Sequence, residues 1–407
     1  MAVPEFPKLR PGLAAAPDGD DLRFIYLFDQ LRLGGAPLRL NRQQFTLVRL
    51  FNGQRSLEDI QTEATLLGGG VLVALPVVRA LVALLDEALF LDSERFRARL
   101  DGPDREPACI GCYPPEPNLI RAHLRGLFTA PGGPGLPGEP GCRVSSAGRL
   151  RAALVPHIDY ARGGITYGWG FKEVVERADA GLFVIVGTSH YSPNRYTLTR
   201  KNFKTPLGTV PTDQGFIDRL VAHYGDGLFD DPFAHLPEHS IELEVLLLQY
   251  LYEGDRPLRI VPLVVGSFSD CVDSRTDPNG QDDIRRMVAA LRQAEAQTPE
   301  PVCYLISGDL AHIGPKFDDP DPVDERFLAH SHAQDRAILE RAEAADAGGY
   351  FRIVANEGDA RRICGLPPTF TVLEAAKPSR GKLLYHDRYV HPEGFESVSF
   401  ASVAFDG

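Results

Sequence analysis

Cysteine is scarce in this chain, with six among 407 residues. So few cannot staple a disulfide scaffold, and the cytoplasm is the expected compartment. A surplus of positive charge is also lacking. Lys and Arg number 43 against 55 Asp and Glu, a formal net charge of −12, and the isoelectric point is near 5.4. That balance argues against a nucleic-acid partner held through its phosphates. No apolar run reaches the roughly 20 residues a bilayer demands. The most apolar stretch, Val71–Leu85, carries Pro76 and Arg79 and reads as a core helix. The opening MAVPEFPKLRPG has no apolar segment of signal-peptide type, so no membrane association is expected. No internal repeat is visible. A hydrophobic content of 43% supports sizeable cores, and the length suggests two domains.

What the chain does have is three short apolar runs that each end in histidine. They are AALVPH, ending at His157, LFVIVGTSH, ending at His190, and VCYLISGDLAH, ending at His312. Unbroken runs of this length read as strands buried on both faces, the pattern of parallel sheets. Ligands of open α/β sheets bind beyond the carboxyl ends of the strands. Three imidazoles delivered there from distant positions can converge on one point, as metal ligands or as a general base. Each lies near a Gly, which permits tight turns and close backbone approach. Asp309, three residues before His312, is placed to orient an imidazole. Ile260–Gly266 is a further strand, Ser397–Ala404 a closing one, and Ile241–Tyr252, Asp282–Ala296 and Ser331–Ala344 read as helices. The alternation predicts an α/β fold, a mostly parallel sheet with helices on both faces.

The first 95 residues read as a separate module, followed by a linker at 96–106 and the α/β domain at 107–407. Leu22–Phe28 and Leu38–Leu40 are strand candidates, and Asn41 can cap a helix. Asn52-Gly53 marks a turn, Ser56-Leu57-Glu58-Asp59 a capping box, and Gly68–Gly70 a break. A third helix carries Val77, Val78, Leu81, Leu84, Leu85 and Ala88 on one stripe, and Leu89–Leu91 reads as a closing strand. These features, with Leu57 and Ile60 after Ser56 and the Phe90-Leu91 pair, resemble the small PqqD-like winged-helix domains. The module is then either a structural helical cap or a binder of a peptide or partner; DNA binding is disfavoured because the third helix is apolar rather than basic. Pro131–Gly141 (PGGPGLPGEPG) is a loop inside the second domain, and Cys109 and Cys112 form a lone CxxC.

From about residue 107 onward, one motif follows another in order: CIGCYPPEPNLIRAHLRGLF, VPHIDYARGG, VIVGTSHY, KTPLGTVPTD, PEHSIELEVLLLQYL, IVPLVVGSF, SGDLAHIG and ICGLPPTFTVLEA. Together they resemble the Memo-like family, of the AmmeMemoRadiSam protein B type. That family is related in fold to class III extradiol ring-cleaving dioxygenases. Matched residue by residue, the resemblance implies metal ligands at His157, His190 and Cys364, with Cys364 at the carboxylate position of the ring-cleaving relatives. It implies an acid/base role for His312 and site roles for Asp309, Glu238 and His239. A divalent metal is implied, Fe(II) first, with Cu or Zn suited to the same donors. A radical-SAM partner protein is implied as well.

Two departures stand out. The family's "PHAGY" is PHIDY here, so Asp159 adds a carboxylate beside His157. It either joins the ligands or bonds to backbone in a turn. The second His of the family's "SHH" is Tyr191. The remaining histidines, His123, His223, His235, His330, His332, His386 and His391, read as surface or loop residues. Two functions follow as expectations. One is a non-haem, metal-dependent oxidoreductase acting on a small-molecule or peptide substrate. The other is a noncatalytic binding protein that uses the pocket and the N-terminal module to recognise a peptide or partner enzyme.

Overall fold

The computed structural model describes residues 3–31, 33–109, 111–138, 149–254 and 257–407. From position 139 the Pro/Gly-rich loop lies outside the described residues. The chain divides into two compact units, Met1–Pro103 and Asp104–Gly407.

In the first unit, strands Leu13–Pro17, Phe24–Asp29 and Leu38–Asn41 form an antiparallel sheet. Helices Arg42–Val48, Leu57–Leu67, Leu75–Glu87 and Glu94–Asp101 follow. Asn41 with Gln44, and Ser56 with Asp59, build reciprocal capping boxes at the first two helix starts. Each box satisfies amide donors that a helix start leaves free. Three expectations need correction. Leu89–Leu91 makes an isolated bridge, Leu9↔Leu91, rather than a strand, because Leu89 turns the chain at φ 60°. The stretch 96–106 is mostly helix and strand rather than linker, holding the end of Glu94–Asp101 and the strand Asp104–Arg105. Only part of the Val71–Leu85 run is core. Val78, Leu81, Val82 and Leu85 are buried, whereas Val71, Leu72, Val77 and Leu84 are exposed.

The second unit is built on an eight-stranded mixed sheet. Its strands are β1 (Leu150–Val155), β2 (Leu182–Thr188), β3 (Tyr196–Leu198), β4 (Arg259–Val265), β5 (Val302–Ser307), β6 (His312–Ile313), β7 (Arg380–Val390) and β8 (Ser397–Asp406). The order is β6-β8-β1-β5-β2-β4-β3, and β7 pairs with β8 along its length. The central pairs β1/β5, β5/β2 and β2/β4 are parallel. The outer pairs, β8/β1, β4/β3, β6/β8 and β7/β8, are antiparallel. The parallel core thus agrees with the apolar runs, and antiparallel strands extend it at both sides. β8 lies between β1 and β7 rather than closing the sheet.

Alternate residues of β2 enter two different cores. Leu182, Val184 and Val186 pack with Ile284, Met287 and Phe370 on one face. Phe183 and Ile185 pack with Leu124, Phe171 and Leu246 on the other. Helices therefore cover both faces, and every residue of β2 and β5 is buried. Burying a large aliphatic side chain contributes about 1.5–3 kcal/mol, so these strands form a stiff frame for whatever their ends carry.

Candidate metal centre

The carboxyl ends of β1, β2 and β5 lead into loops that hold His157, His190 and Asp309. A fourth contribution comes from the start of helix His239–Leu251, capped by the Glu238 carboxylate accepting from Ser240 N. A fifth comes from Cys364, just before helix Leu366–Ala376. Ligand atoms of His157, His190 and His239 lie within 4.8 Å of one another, and so do those of His157, Asp309 and Cys364. His157 belongs to both groups. The His190 and His239 rings stack at 4.5 Å, and His157 meets them edge-on at 5.1 and 5.3 Å.

The glycines do what the spacing suggested. A Cβ on Gly187 would meet Ser240 Oγ at 2.6 Å, and one on Gly308 would meet Gly365 Cα at 2.5 Å. Only bare backbone lets the Cys364 loop seat against the Ser307–Asp309 turn. Thr188 Oγ1 then donates to Cys364 O at 2.7 Å, and Gly365 N to Asp309 O at 2.9 Å.

The His190 ring is oriented by a partner behind it. Glu238 accepts from His190 N at 2.8 Å and lies 2.9 Å from His190 Nδ1. A carboxylate can only accept, so Nδ1 carries the proton and Nε2 is left as the donor atom. Burial alone would raise Glu238, yet His190 and His239 hold it well below the usual carboxylate range. Burial opposes charge on His190, but Glu238 outweighs it and raises its pKa. Burial first, then His190, pushes His157 down to about 3, so it is the neutral imidazole that metals bind. Cys364 Sγ lies 3.2 Å from His157 Nε2. Burial, then the Asp309 carboxylate, raises this thiol; a cation in the centre would reverse that preference. One imidazole with Nδ1 held from behind, two further imidazoles, a carboxylate and a thiol form a donor set that fits a divalent metal.

Asp309 does not hold His312 in the way expected. Its Oδ1 accepts from His157 N at 3.0 Å, and its Oδ2 lies 3.7 Å from His157 Nε2. His312 Nδ1 instead faces the carbonyls of Leu310 and Arg362, both at 3.1 Å. Carbonyls only accept, so Nδ1 is protonated. Burial lowers the pKa of His312, and its Nε2 carries the free lone pair. Asp159 is absent from both groups. It caps the short helix Tyr160–Gly163 by accepting from Arg162 N, and pairs with the Arg162 guanidinium at 2.5 Å. This is the turn alternative. His235, read as a surface or loop residue, is buried, with Nε2 3.0 Å from Thr197 O. Cys109 and Cys112 join no such group among the described residues. Cys109 N donates to Glu242, which is buried with Arg105 and Tyr113.

Beside Cys364 a cavity of about 200 Å³ opens, lined by Thr188, Ser189, Phe268, Arg362 and Pro367 among others. His157, Glu238 and Asp309 are buried, whereas the side chains of His190 and His239 are 31% and 30% exposed. The centre has a closed back and an open front.

The profile of the Memo-like protein family matches residues 105–404. The chain belongs to the Memo-like family. It is 26% identical over 372 residues to a MEMO1 family protein of Aquifex aeolicus, covering 88% of this chain and 90% of the relative. A MEMO1 family protein of Methanopyrus kandleri is 28% identical over 312 residues, 74% of this chain and 99% of the relative. One from Ignicoccus hospitalis is 30% identical over 216 residues, 52% of this chain and 70% of the relative. All of the residues that the Memo-like motifs single out at the centre fall within the matched segment. Sequence reading placed His239 and Asp309 among catalytic groups, whereas the fold sets their ligand atoms among those of the expected ligands. It overlooked Ser307 and Glu244. The signal was available: Glu244 is a second acid in the otherwise apolar run IELEVLLL, four residues from Ser240.

Among the described residues, no helix is long and apolar enough to cross a membrane.

Proposed function

We propose that this centre binds a divalent metal through His157, His190 and Cys364, and that the second unit is a non-haem, metal-dependent oxidoreductase of dioxygenase-like type. The observation that carries the reading is the convergence of two triplets of donors, sharing His157, at the ends of the parallel strands. Fe(II) is our first assignment, and Cu or Zn suits the same donors. When bound, such a metal supplies Lewis acidity and open coordination positions. Glu238 keeps His190 in register, and Asp309 tethers the His157 backbone. His239 lines the open front. His312, neutral with a free Nε2, takes a proton from a small-molecule or peptide substrate. A cytoplasmic setting, where thiols stay reduced, suits Cys364. The test is elemental analysis of anaerobically purified protein together with O2 consumption. Metal bound and O2 consumed, both lost in His157→Ala, support the reading; a metal-free pocket with no O2 uptake sinks it.

A second reading concerns the first unit. Leu66, Leu67, Val71 and Leu72 are between 62% and 75% exposed at the turn between two helices. Exposed apolar clusters mark interaction surfaces. We propose that residues 1–95 are a separable PqqD-like, winged-helix-like module. It would dock a peptide or partner enzyme, such as the radical-SAM protein of an AmmeMemoRadiSam system, and the protein would then serve as an adaptor. Loss of partner binding in Leu72→Glu, with metal content unchanged, would support this.

A further inference from the structure

Glu244 is fully buried on helix His239–Leu251, among apolar neighbours. Its Oε1 lies 3.0 Å from Ser307 Oγ, and its Oε2 has no hydrogen-bond partner among the described residues. An acid placed this way is costly unless it stays neutral or serves a nearby charge. Ser307 Oγ has three polar neighbours: Ser240 O at 2.5 Å, Glu244 Oε1 at 3.0 Å and His157 Nδ1 at 3.4 Å. One hydroxyl has one proton to donate. The Ser240 carbonyl can only accept and is nearest, so it receives that proton. The hydroxyl oxygen then accepts from Glu244 as a neutral acid, while His157 Nδ1–H is shared between the Ser307 backbone carbonyl and the Ser307 hydroxyl. His157 Nε2 is left as the lone pair that faces Cys364 Sγ at 3.2 Å.

The two ligand imidazoles are thus backed alike. Behind His190 Nδ1 stands Glu238 at 2.9 Å. Behind His157 Nδ1 stands Ser307, and behind Ser307 stands Glu244. Burial, and then Asp309, keep the proton on Glu244 against the pull of the Ser307 bond. The other titratable groups near it, Tyr160 and Tyr167, are held neutral by their own burial.

We propose that Glu244 is a positioning residue for the metal centre, the carboxyl partner of His157 acting through Ser307, and that it releases its proton to solvent when the cation binds. The proposal rests on the reading of this centre as a metal site. On proton loss the Ser307 hydroxyl turns from Ser240 O to the Glu244 carboxylate. Ser307 then accepts more strongly from His157 Nδ1–H, which makes Nε2 a better donor to the cation.

The test titrates Zn(II) into the metal-free full-length protein by calorimetry, in buffers of different ionisation heat and across pH. Glu244→Gln has the same size and keeps an N–H donor for Ser307. It should bind Zn(II) about 10–100-fold more weakly, the usual effect of removing a partner behind a ligand. It should also release about one proton fewer per metal than the wild type. A purely structural residue would not change the proton count. Ser307→Ala should do the same, and the double variant little more. Imidazole 15N spectra of the metal-free wild type should show His157 protonated at Nδ1. An unchanged affinity and proton count in Glu244→Gln, or a His157 protonated at Nε2, overturns the proposal. If Glu244→Gln fails to fold, the Zn(II) affinity and proton count of Ser307→Ala decide. A wild type that takes up no Zn(II) sinks the metal reading itself, and the proposal with it.

Discussion

Cys364 Sγ lies 3.2 Å from His157 Nε2, although 207 residues separate them in the chain. The meeting depends on Gly308 and Gly365, whose backbones pack so closely that a Cβ on Gly308 would lie 2.5 Å from Gly365 Cα. Gly308→Ala should push the Cys364 loop outward. The expected cost is about 1–3 kcal/mol of stability, as for other overpacked sites, with weaker metal binding. Thermal melts and a metal titration read both; an unchanged melting temperature and affinity would show that the approach is looser than described.

Glu238 gives both oxygens to this region, to His190 N, His190 Nδ1 and Ser240 N. Glu238→Gln should free the His190 ring and lower metal affinity by about 10–100-fold, with the fold retained. Equal affinity for the variant and wild type would mean that His190 is not a ligand or is held by something else.

The parallel core and three of the converging residues were legible because their signals are local. β2 and β5 are unbroken apolar runs ending in a Gly and a His, and the caps at Asn41 and Ser56 are four-residue patterns. What escaped was set by distant contacts. β7, RGKLLYHDRYV, mixes charges with apolar residues, since among the described residues it pairs only with β8, and it stays half-exposed. Asp309 turns to His157 rather than His312 because carbonyls from two separate segments already hold the His312 ring. Asp159 beside His157 looked like a ligand candidate, but the helix that begins at Tyr160 and Arg162 claims its carboxylate.

His312 should be separable from the ligands. His312→Gln should leave metal occupancy nearly unchanged and lower any turnover by about 10²–10⁴-fold, the usual general acid/base contribution. Occupancy by elemental analysis beside a turnover assay checks this. A variant that loses its metal would move His312 into the ligand set.

His235 offers a pH test away from the centre. Burial lowers its pKa from 6.5 to about 4. Between those values the unfolded chain binds the proton and the folded one does not. Stability therefore falls as pH drops from 6.5 toward 4, with a limiting slope of about 1.4 kcal/mol per pH unit from this group. Denaturant melts from pH 7.5 to 4.5 should show a shallower loss for His235→Gln than for the wild type. Parallel curves would mean that His235 titrates normally in the folded protein.

The most direct measurement is divalent-metal stoichiometry and affinity for anaerobically prepared wild type, His157→Ala, His190→Ala and Cys364→Ser. About one tightly held metal per wild-type chain is expected, with a strong loss in each variant, since a three-ligand site loses chelation with every deletion. Full stoichiometry and affinity in Cys364→Ser would contradict the thiolate assignment, and retention in all three variants would contradict the site.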